Sequence, residues 1–466
     1  MKNLKEECGV VAISGNPESA KLVKLALHAL QHRGQESAGI VTDTGKKTHS
    51  IHKDKGLVSE AIPDSAFDQL IGKVSIGHVR YSTTGSNRAV NAQPISIKYK
   101  CGALSIAHNG NFTNAIELRS QLENKGAIFN TSNDTEILIH LIAQHHGNRF
   151  KQSFLASLME LEGAYSIVAL HNDTLYAIRD PKGIRPLYLG EMKDGTQIVA
   201  SESCAFDIIG ASFVRPLDPG ELLIIKGKKV TSEQAFPKKK KAFCIFEYIY
   251  IMRPDSLTRI KKKDISVADL RFKLGQKLAE EHPVKADVVI DVPDSSKPAA
   301  IGYADALGIS YRMGLVRSHY IGRTFIQPEQ EIRDFNARLK YNVVKSVVEG
   351  KRVVIIDDSI VRGTTSRKIV NMMRDAGAKS VAFLSTAPIW KFPCFYGVDT
   401  PDPEELIAAK GDEKAIQKWI GCDYLGYLSI EGMRGAFPNC GYCTACFDGD
   451  YPAGYPSDFD KEALED

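Results

Sequence analysis

The chain has 466 residues, 43% of them hydrophobic and 25% charged, with a formal net charge of only +4. That length and apolar content provide for more than one domain with a sizeable core, and so small a charge leaves no footprint for a nucleic-acid binder. No apolar run reaches the ~18 residues of a membrane span, and the charged opening MKNLKEE lacks the apolar region of a signal peptide, so a cytoplasmic protein is expected.

In chain order, the first element is CGVVAIS, a β-branched run that predicts a buried strand opened by Cys8. A thiol with its ordinary pKa near ~8.5 is a weak nucleophile at neutral pH unless a base stands beside it. Taken alone, Cys8 reads as a structural cysteine. The stretch ESAKLVKLALHALQHRG then places Leu22, Leu25, Ala26, Ala29 and Leu30 at helical spacing, with Gly34 as the expected stop. Short β-branched runs follow, separated by Gly and Asn turns: VSIGHVRYSTTG, ALSIAHNGNFTN, AYSIVALHNDTLYAIRD and ELLIIKGKKV. They continue to about Val230 and predict packed sheets with flanking helices. The Asn109–Gly110 pair is by itself an ordinary hairpin turn. At QAFPKKKKAFC the texture changes, and Lys238 to Lys241 read as a solvated linker, placing a domain boundary between residues 235 and 250.

Beyond that boundary strands alternate with helices, in ADVVIDVPDSS, KPAAIGYADALG and KRVVIIDDSIVRGTTSRKIVNMMRDAG, the signature of βαβ units and a parallel sheet. The most informative stretch is VVIIDDSIVRGTTS. Val353 to Ile356 predict a fully buried strand ending in Asp357 and Asp358. A loop with Arg362 and Gly363 then leads to Thr364, Thr365 and Ser366 at the start of a helix. Backbone amides and hydroxyls at a helix N-terminus suit a phosphate, and ligands gather at the carboxyl ends of strands in open α/β sheets. The acidic pair suits ribose hydroxyls and a magnesium ion. No G-x-x-x-x-G-K-[ST] loop is present, which excludes a P-loop.

Near the C-terminus, NCGYCTACFDGDYP holds Cys440, Cys443 and Cys446 in overlapping C-x₂-C pairs. Thiolates at this spacing can grip one metal centre, and the spacing leaves zinc and an iron–sulfur cluster both open. Nine cysteines without a secretory signal argue against a disulfide framework. Cys101, Cys204 and Cys422 have no motif around them and read as packing residues.

The stretch VVIIDDSIVRGTTS resembles the phosphoribosyl-pyrophosphate (PRPP) loop of type I phosphoribosyltransferases, and VPDSS resembles their segment that offers magnesium a hydroxyl, here Ser295. HYIGRTFIQP (His319 to Pro328) resembles the flexible closing loop of one branch, the glutamine PRPP amidotransferases. The resemblance runs from Cys8 to about Pro452. It implies an N-terminal-nucleophile (Ntn) αββα sandwich followed by a type I phosphoribosyltransferase domain. Its implied bounds are a propeptide at 1–7, the glutaminase at 8–238, the transferase at 239–430 and a cysteine-bearing tail at 431–466.

By that resemblance Cys8 becomes residue one of the mature chain, and its free α-amino group, with pKa about 7.7–8.0, serves as the base. Arg80 in GHVRYSTTG would hold the glutamine carboxylate, for which a bidentate guanidinium is suited. Asp134 in SNDTE would hold the glutamine amino group. Asn109 and Gly110 in AHNGNFTN would form the oxyanion hole. RDPKGIRPL (Arg179 to Leu187) also matches and takes a structural role. The PRPP site would comprise Asp357, Asp358, Arg362, Gly363, Thr364, Thr365 and Ser366, with one Mg²⁺ on Ser295, Asp357 and Asp358. The branch with both a propeptide and a [4Fe–4S] cluster is the one resembled, and its ligands would be Cys244, Cys394, Cys443 and Cys446, with Cys440 an extra. Where relatives without the cluster have two basic residues, VRSHYIG keeps Arg317 and has His319 in place of the other.

The implied reaction is the first committed step of purine synthesis. Glutamine, PRPP and water give 5-phosphoribosylamine, glutamate and pyrophosphate through a Cys8 thioester and channelled ammonia, in a homotetramer inhibited by purine nucleotides. Two rivals share parts of the chain. A glutamine amidotransferase with another sugar-phosphate acceptor has no reason to carry VVIIDDSIVRGTTS, and a PRPP-sensing regulator of transcription has no use for Cys8.

Overall fold

The computed structural model describes residues 8–81, 89–145, 149–317, 341–400, 402–438 and 441–455. The first half carries β1 (Gly9–Ser14), β2 (Ser37–Asp43), β3 (His49–Lys55), β4 (Val74–Arg80), β5 (Ile95–Tyr99), β6 (Gly102–Phe112) and β7 (Gly163–His171). β8 (Thr174–Arg179), β9 (Tyr188–Glu191), β10 (Gln197–Ala200), β11 (Ser212–Pro216), β12 (Glu221–Lys226) and β13 (Lys229–Gln234) complete it. They form a seven-stranded sheet, β11-β9-β10-β1-β4-β2-β3, and a six-stranded sheet, β13-β12-β8-β7-β6-β5, with each neighbouring pair antiparallel.

Alternation along a strand decides which layer each side chain joins. On β1, Val10 and Ala12 pack with Ala107, Val168 and Ala177 between the two sheets, while Val11 and Ile13 face the layer of helix Ser19–Ala29. On β6, Leu104 and Ile106 pack against Leu138 and Phe154 of helices Asp134–Gln144 and Phe150–Met159 on the far side. The result is the αββα sandwich expected of an Ntn domain. The first helix ends before the glycine that was its predicted stop, giving way at Leu30 to a 3₁₀ turn, Gln31–Arg33. Gly34 serves close approach instead: its backbone is extended, and a Cβ there would lie 2.7 Å from the backbone of Val79 and Arg80.

Lys238 to Lys241 are exposed. After them come β14 (Phe243–Cys244), a π-helical turn at Glu247–Ile251, and the hairpin of β15 (Leu257–Ile260) and β16 (Lys263–Ser266). β17 (Val288–Asp291) follows, then the hairpin of β18 (Leu315–Arg317) and β19 (Tyr341–Val343), then β20 (Arg352–Asp357), β21 (Ser380–Ser385) and β22 (Tyr424–Tyr427). The strands β17-β20-β21-β22 make an all-parallel sheet. Parallel neighbours need crossovers, which helices Lys297–Leu307, Thr364–Asp375 and Glu413–Ile420 supply. Val353 to Ile356 are at most 1% exposed, as a strand covered on both faces requires. A last strand, β23 (Tyr442–Cys443), pairs in parallel with β14 and ties the tail to the start of this half. Among the described residues no helix is long and apolar enough to cross a membrane.

Candidate active sites and a cysteine centre

Cys8 is buried at the head of β1, and its thiol donates to the Tyr81 carbonyl at 3.3 Å. Burial is the main reason its pKa is pushed up to about 11; Arg80 pulls it down, and Asp134 and Glu36 push it further up. Arg80 and Asp134 therefore act electrostatically on the same thiol. Arg80 is buried at the end of β4, the strand that pairs with β1. Asp134 opens its helix behind the cap Asn133, and its Oδ2 accepts from the Phe112 amide at 3.2 Å. Sequence reasoning put these residues on three separate motifs, and the fold brings them together. Ser82 to Gly85, the rest of the glutamine motif, and the leader 1–7 lie outside the described residues.

Asn109 and Gly110 lie within β6, opposite Ser166 and Tyr165 of β7, rather than forming a hairpin turn. The Asn109 side chain is 1% exposed, and neither its Nδ2 nor its Oδ1 has a hydrogen-bond partner among the described residues. A buried amide left so is costly by ~1–3 kcal/mol unless a ligand completes it. Gly110 has φ +140°, and a Cβ there would lie 2.0 Å from the Ala164 carbonyl oxygen, so both conformation and space require glycine.

A group that the motifs did not reveal holds Cys8 from behind. Arg33, fully buried, donates from Nε to the Cys8 carbonyl at 3.1 Å and from its Nη atoms to Glu202 at 2.6 Å and Glu247 at 2.7 Å. Arg185 also donates to Glu247. The two carboxylates keep the Arg33 guanidinium protonated despite its burial, and the Arg33 guanidinium and the hydrogen-bonded His32 ring hold Glu202 well below the usual carboxylate range despite its own. No local spacing marks this network, because its members stand up to 214 residues apart. The RDPKGIRPL segment is structural as expected: Arg179 donates to the carbonyls of Arg185, Gly183 and Leu217, and Asp180 accepts from the amides of Lys182, Ile184 and Arg185.

At the carboxyl end of β20, Asp357 and Asp358 are each 7% exposed. Burial raises the pKa of Asp358, while hydroxyl donors Ser295 and Ser359 and the Arg271 charge oppose it. Ser295 thus meets Asp358 directly, across 63 residues of chain. Gly363 sits at φ +74°, and a Cβ there would come within 2.7 Å of Ile407 and Trp419. Helix Thr364–Asp375 starts immediately after it with no side-chain cap, so its first amides are not satisfied by a cap. Ser366 is buried, Thr364 half-buried and Thr365 exposed. Arg362 reaches Glu405 at 2.7 Å, and Arg317 reaches Asp294 at 3.1 Å. His319 to Pro328 lie outside the described residues.

Cys244 on β14 stands in register with Cys443 on β23. With Cys394 and Cys446 they line one cavity, closed by Phe246 and Trp390 among others. Burial and mutual repulsion push the Cys244 thiol up to about 12 and those of Cys443 and Cys446 well above their usual value. Among the described residues no three His, Cys, Asp or Glu side chains converge tightly enough to hold a single metal ion. Cys440 lies outside those residues.

Comparison with known proteins agrees with this division. A glutamine amidotransferase domain family model matches residues 78–207, and a phosphoribosyl transferase domain model matches residues 256–388. The chain is 48% identical to amidophosphoribosyltransferase 1, chloroplastic, of Arabidopsis thaliana over 96% of its own length and 79% of that protein's. It is 47% identical to the amidophosphoribosyltransferase of Bacillus subtilis, covering 97% and 95% of the two chains. Among solved structures it matches the allosteric regulatory enzyme of purine biosynthesis, with TM-score 0.92 and 46% identity over 98% of this chain and 99% of that one. It also matches the glutamine PRPP amidotransferase of B. subtilis complexed with ADP and GMP, with TM-score 0.91 and 45% identity over 98% and 100%. A glutaminase-type sandwich and a PRPP-type parallel sheet in one chain, matched over nearly its whole length, place this protein in the amidophosphoribosyltransferase family.

Proposed function

We propose that the chain makes 5-phosphoribosylamine from glutamine and PRPP by two linked steps, with roles assigned as follows. Residues 1–7 are removed, and the Cys8 α-amino group takes the thiol proton. The sulfur attacks the glutamine carboxamide carbon, held by Arg80 at the carboxylate and Asp134 at the ammonium. Asn109 Nδ2 and the Gly110 amide donate to the resulting oxyanion. Collapse expels ammonia, which carries the proton returned by the amine. Water then cleaves the thioester to glutamate and restores the thiol. The observation that carries this assignment is the buried Asn109 carboxamide, without a hydrogen-bond partner among the described residues, on the strand whose last amide, that of Phe112, donates to Asp134. A thiol pushed up to about 11 also supports the need for a base that only a freed amine at residue 8 can bring.

On the other side, ammonia attacks C1 of the ribose and pyrophosphate leaves. The free helix end at Thr364–Ser366 receives the 5-phosphate, and Asp357 and Asp358 receive the ribose hydroxyls. The oxygen donors Asp357, Asp358 and Ser295 suit Mg²⁺, which takes few protein ligands when diphosphate oxygens complete its shell; when bound, it would neutralise charge on the leaving group. The four thiols that line one cavity, Cys244, Cys394, Cys443 and Cys446, would be the ligands of a [4Fe–4S] cluster. That cluster would pin the tail and takes no part in the chemistry. The glutaminase is assigned to 8–238 and the transferase to 239–430. The working form is a cytoplasmic homotetramer regulated by purine nucleotides, as the ADP and GMP in the B. subtilis complex support.

The test is glutamine hydrolysis by anaerobically purified protein with and without PRPP and Mg²⁺. Strong stimulation by PRPP is expected. Hydrolysis indifferent to PRPP would favour an amidotransferase with another acceptor.

A further inference from the structure

We infer that the segment Pro393–Gly397, far from the glutaminase in sequence, is the back wall of its oxyanion hole, with Asn111 and Gly397 as positioning residues. The inference rests on the glutaminase reading above. Asn111 follows Gly110 on β6, and its buried side chain turns away from the helix layer to donate from Nδ2 to the Phe395 carbonyl at 3.0 Å, across 284 residues of chain. Two residues on, Gly397 adopts φ +110° and lies against Gly110 itself. A Cβ at Gly397 would stand 3.1 Å from the Gly110 Cα and carbonyl carbon and 3.3 Å from its oxygen. On its other side Gly110 is stopped by the Ala164 carbonyl. Gly110, the residue whose amide is assigned to the oxyanion, is therefore held between two backbones, one from its own sheet and one from the transferase half.

The wall is itself braced. The Tyr451 hydroxyl donates to the Pro393 carbonyl at 2.5 Å, and the Tyr396 hydroxyl donates to the Gly454 carbonyl and accepts from the Ala453 amide, each at 2.8 Å. The Phe395 ring packs against Tyr451 and stacks on Tyr455, with centroids 5.0 and 5.6 Å apart. The Cys394 amide donates to Thr400 at 2.9 Å. A displacement of order 1 Å at a catalytic donor costs about 10²-fold in rate, so a loosened wall acts on the chemical step and not on glutamine capture by Arg80 and Asp134.

The experiment uses full-length holoenzyme carrying Asn111→Ala or Gly397→Ala, with Cys8→Ala alongside. Glutamine-dependent and ammonia-dependent product formation are measured at saturating PRPP, together with the rate of Cys8 alkylation by iodoacetamide. For both wall variants glutamine-dependent kcat should fall about 10- to 100-fold. KM for glutamine, the ammonia-dependent rate and Cys8 alkylation should stay within about twofold, a pattern that general loosening of the fold does not give. Equal loss of the ammonia-dependent rate, or unchanged glutamine-dependent kcat, overturns the inference. Glutamine-dependent turnover surviving in Cys8→Ala overturns the glutaminase reading itself, and this inference with it.

Discussion

Asn109 is buried without a hydrogen-bond partner among the described residues, on a strand walled on two sides, whereas Asp358 follows the end of a strand with hydroxyl donors already on its carboxylate. On our reading the first side is finished by backbone: a glycine peptide, a strand end and a carbonyl held by Arg33. The second is finished by charge and hydroxyls gathered at a strand–loop–helix junction. The contrast fits the chemistry. An oxyanion that exists only briefly needs donors fixed in advance. A diphosphate, charged throughout, is met by ionic and hydroxyl groups with room to adjust.

The comparison breaks most sharply at the nucleophile. Cys8→Ser should raise the ratio of ammonia-dependent to glutamine-dependent turnover by about 10³ or more, since a hydroxyl beside an amine is a far poorer nucleophile than a thiol; an unchanged ratio would show that Cys8 is not the nucleophile that releases ammonia from glutamine. On the transferase side, Asp358→Asn should lower kcat/KM for PRPP by about 10- to 100-fold with either nitrogen donor, the value of a charge-assisted bond. A loss confined to glutamine would contradict the division. Acid should sharpen this. Burial raises the Asp358 pKa, so protons compete for it at higher pH than for an exposed aspartate, and PRPP–Mg²⁺ affinity should weaken as pH falls through that value, with the loss absent in Asp358→Asn. Cys8 responds in the same direction over a higher pH range. With the leader retained, alkylation should climb about tenfold per pH unit up to about 11, and removal of residues 1–7 should abolish that slope above the α-amino pKa of about 7.7–8.0. The smallest effect belongs to neither side: replacing Lys238 to Lys241 by Gln should change stability by less than about 0.5 kcal/mol in a melting curve and leave the two activities in proportion.

What was legible in the sequence follows from how local each part is. The stretch from Val353 to Ser366 is strand, acid pair, turn glycine and helix start in succession, so its pattern carries its geometry, down to the positive φ of Gly363. Cys8, Arg80, Asn109 and Asp134 were legible only as separate motifs in order. The helix stop was misplaced because Gly34 answers to Val79 and Arg80, which approach it through the sheet, and not to its own helix. Arg33, Glu202 and Glu247 gave no signal at all. Charged residues read from sequence as surface, and only the fold shows that these three and Arg185 neutralise one another in the interior between the two halves. The Asn111–Phe395 bond was hidden for the same reason.

The short parallel pairing of Phe243–Cys244 with Tyr442–Cys443 carries a consequence for biosynthesis. The strands of the sandwich all lie within residues up to Gln234, so they are made while the rest of the chain is still being translated. The pairing cannot close until residue 443 has left the ribosome, and with it waits the cavity that gathers Cys244, Cys394 and Cys446. A chain stalled or clipped before that point lacks this pairing and the Tyr451 hydrogen bond to Pro393. Closure of this clasp therefore requires a polypeptide made at least as far as Cys443.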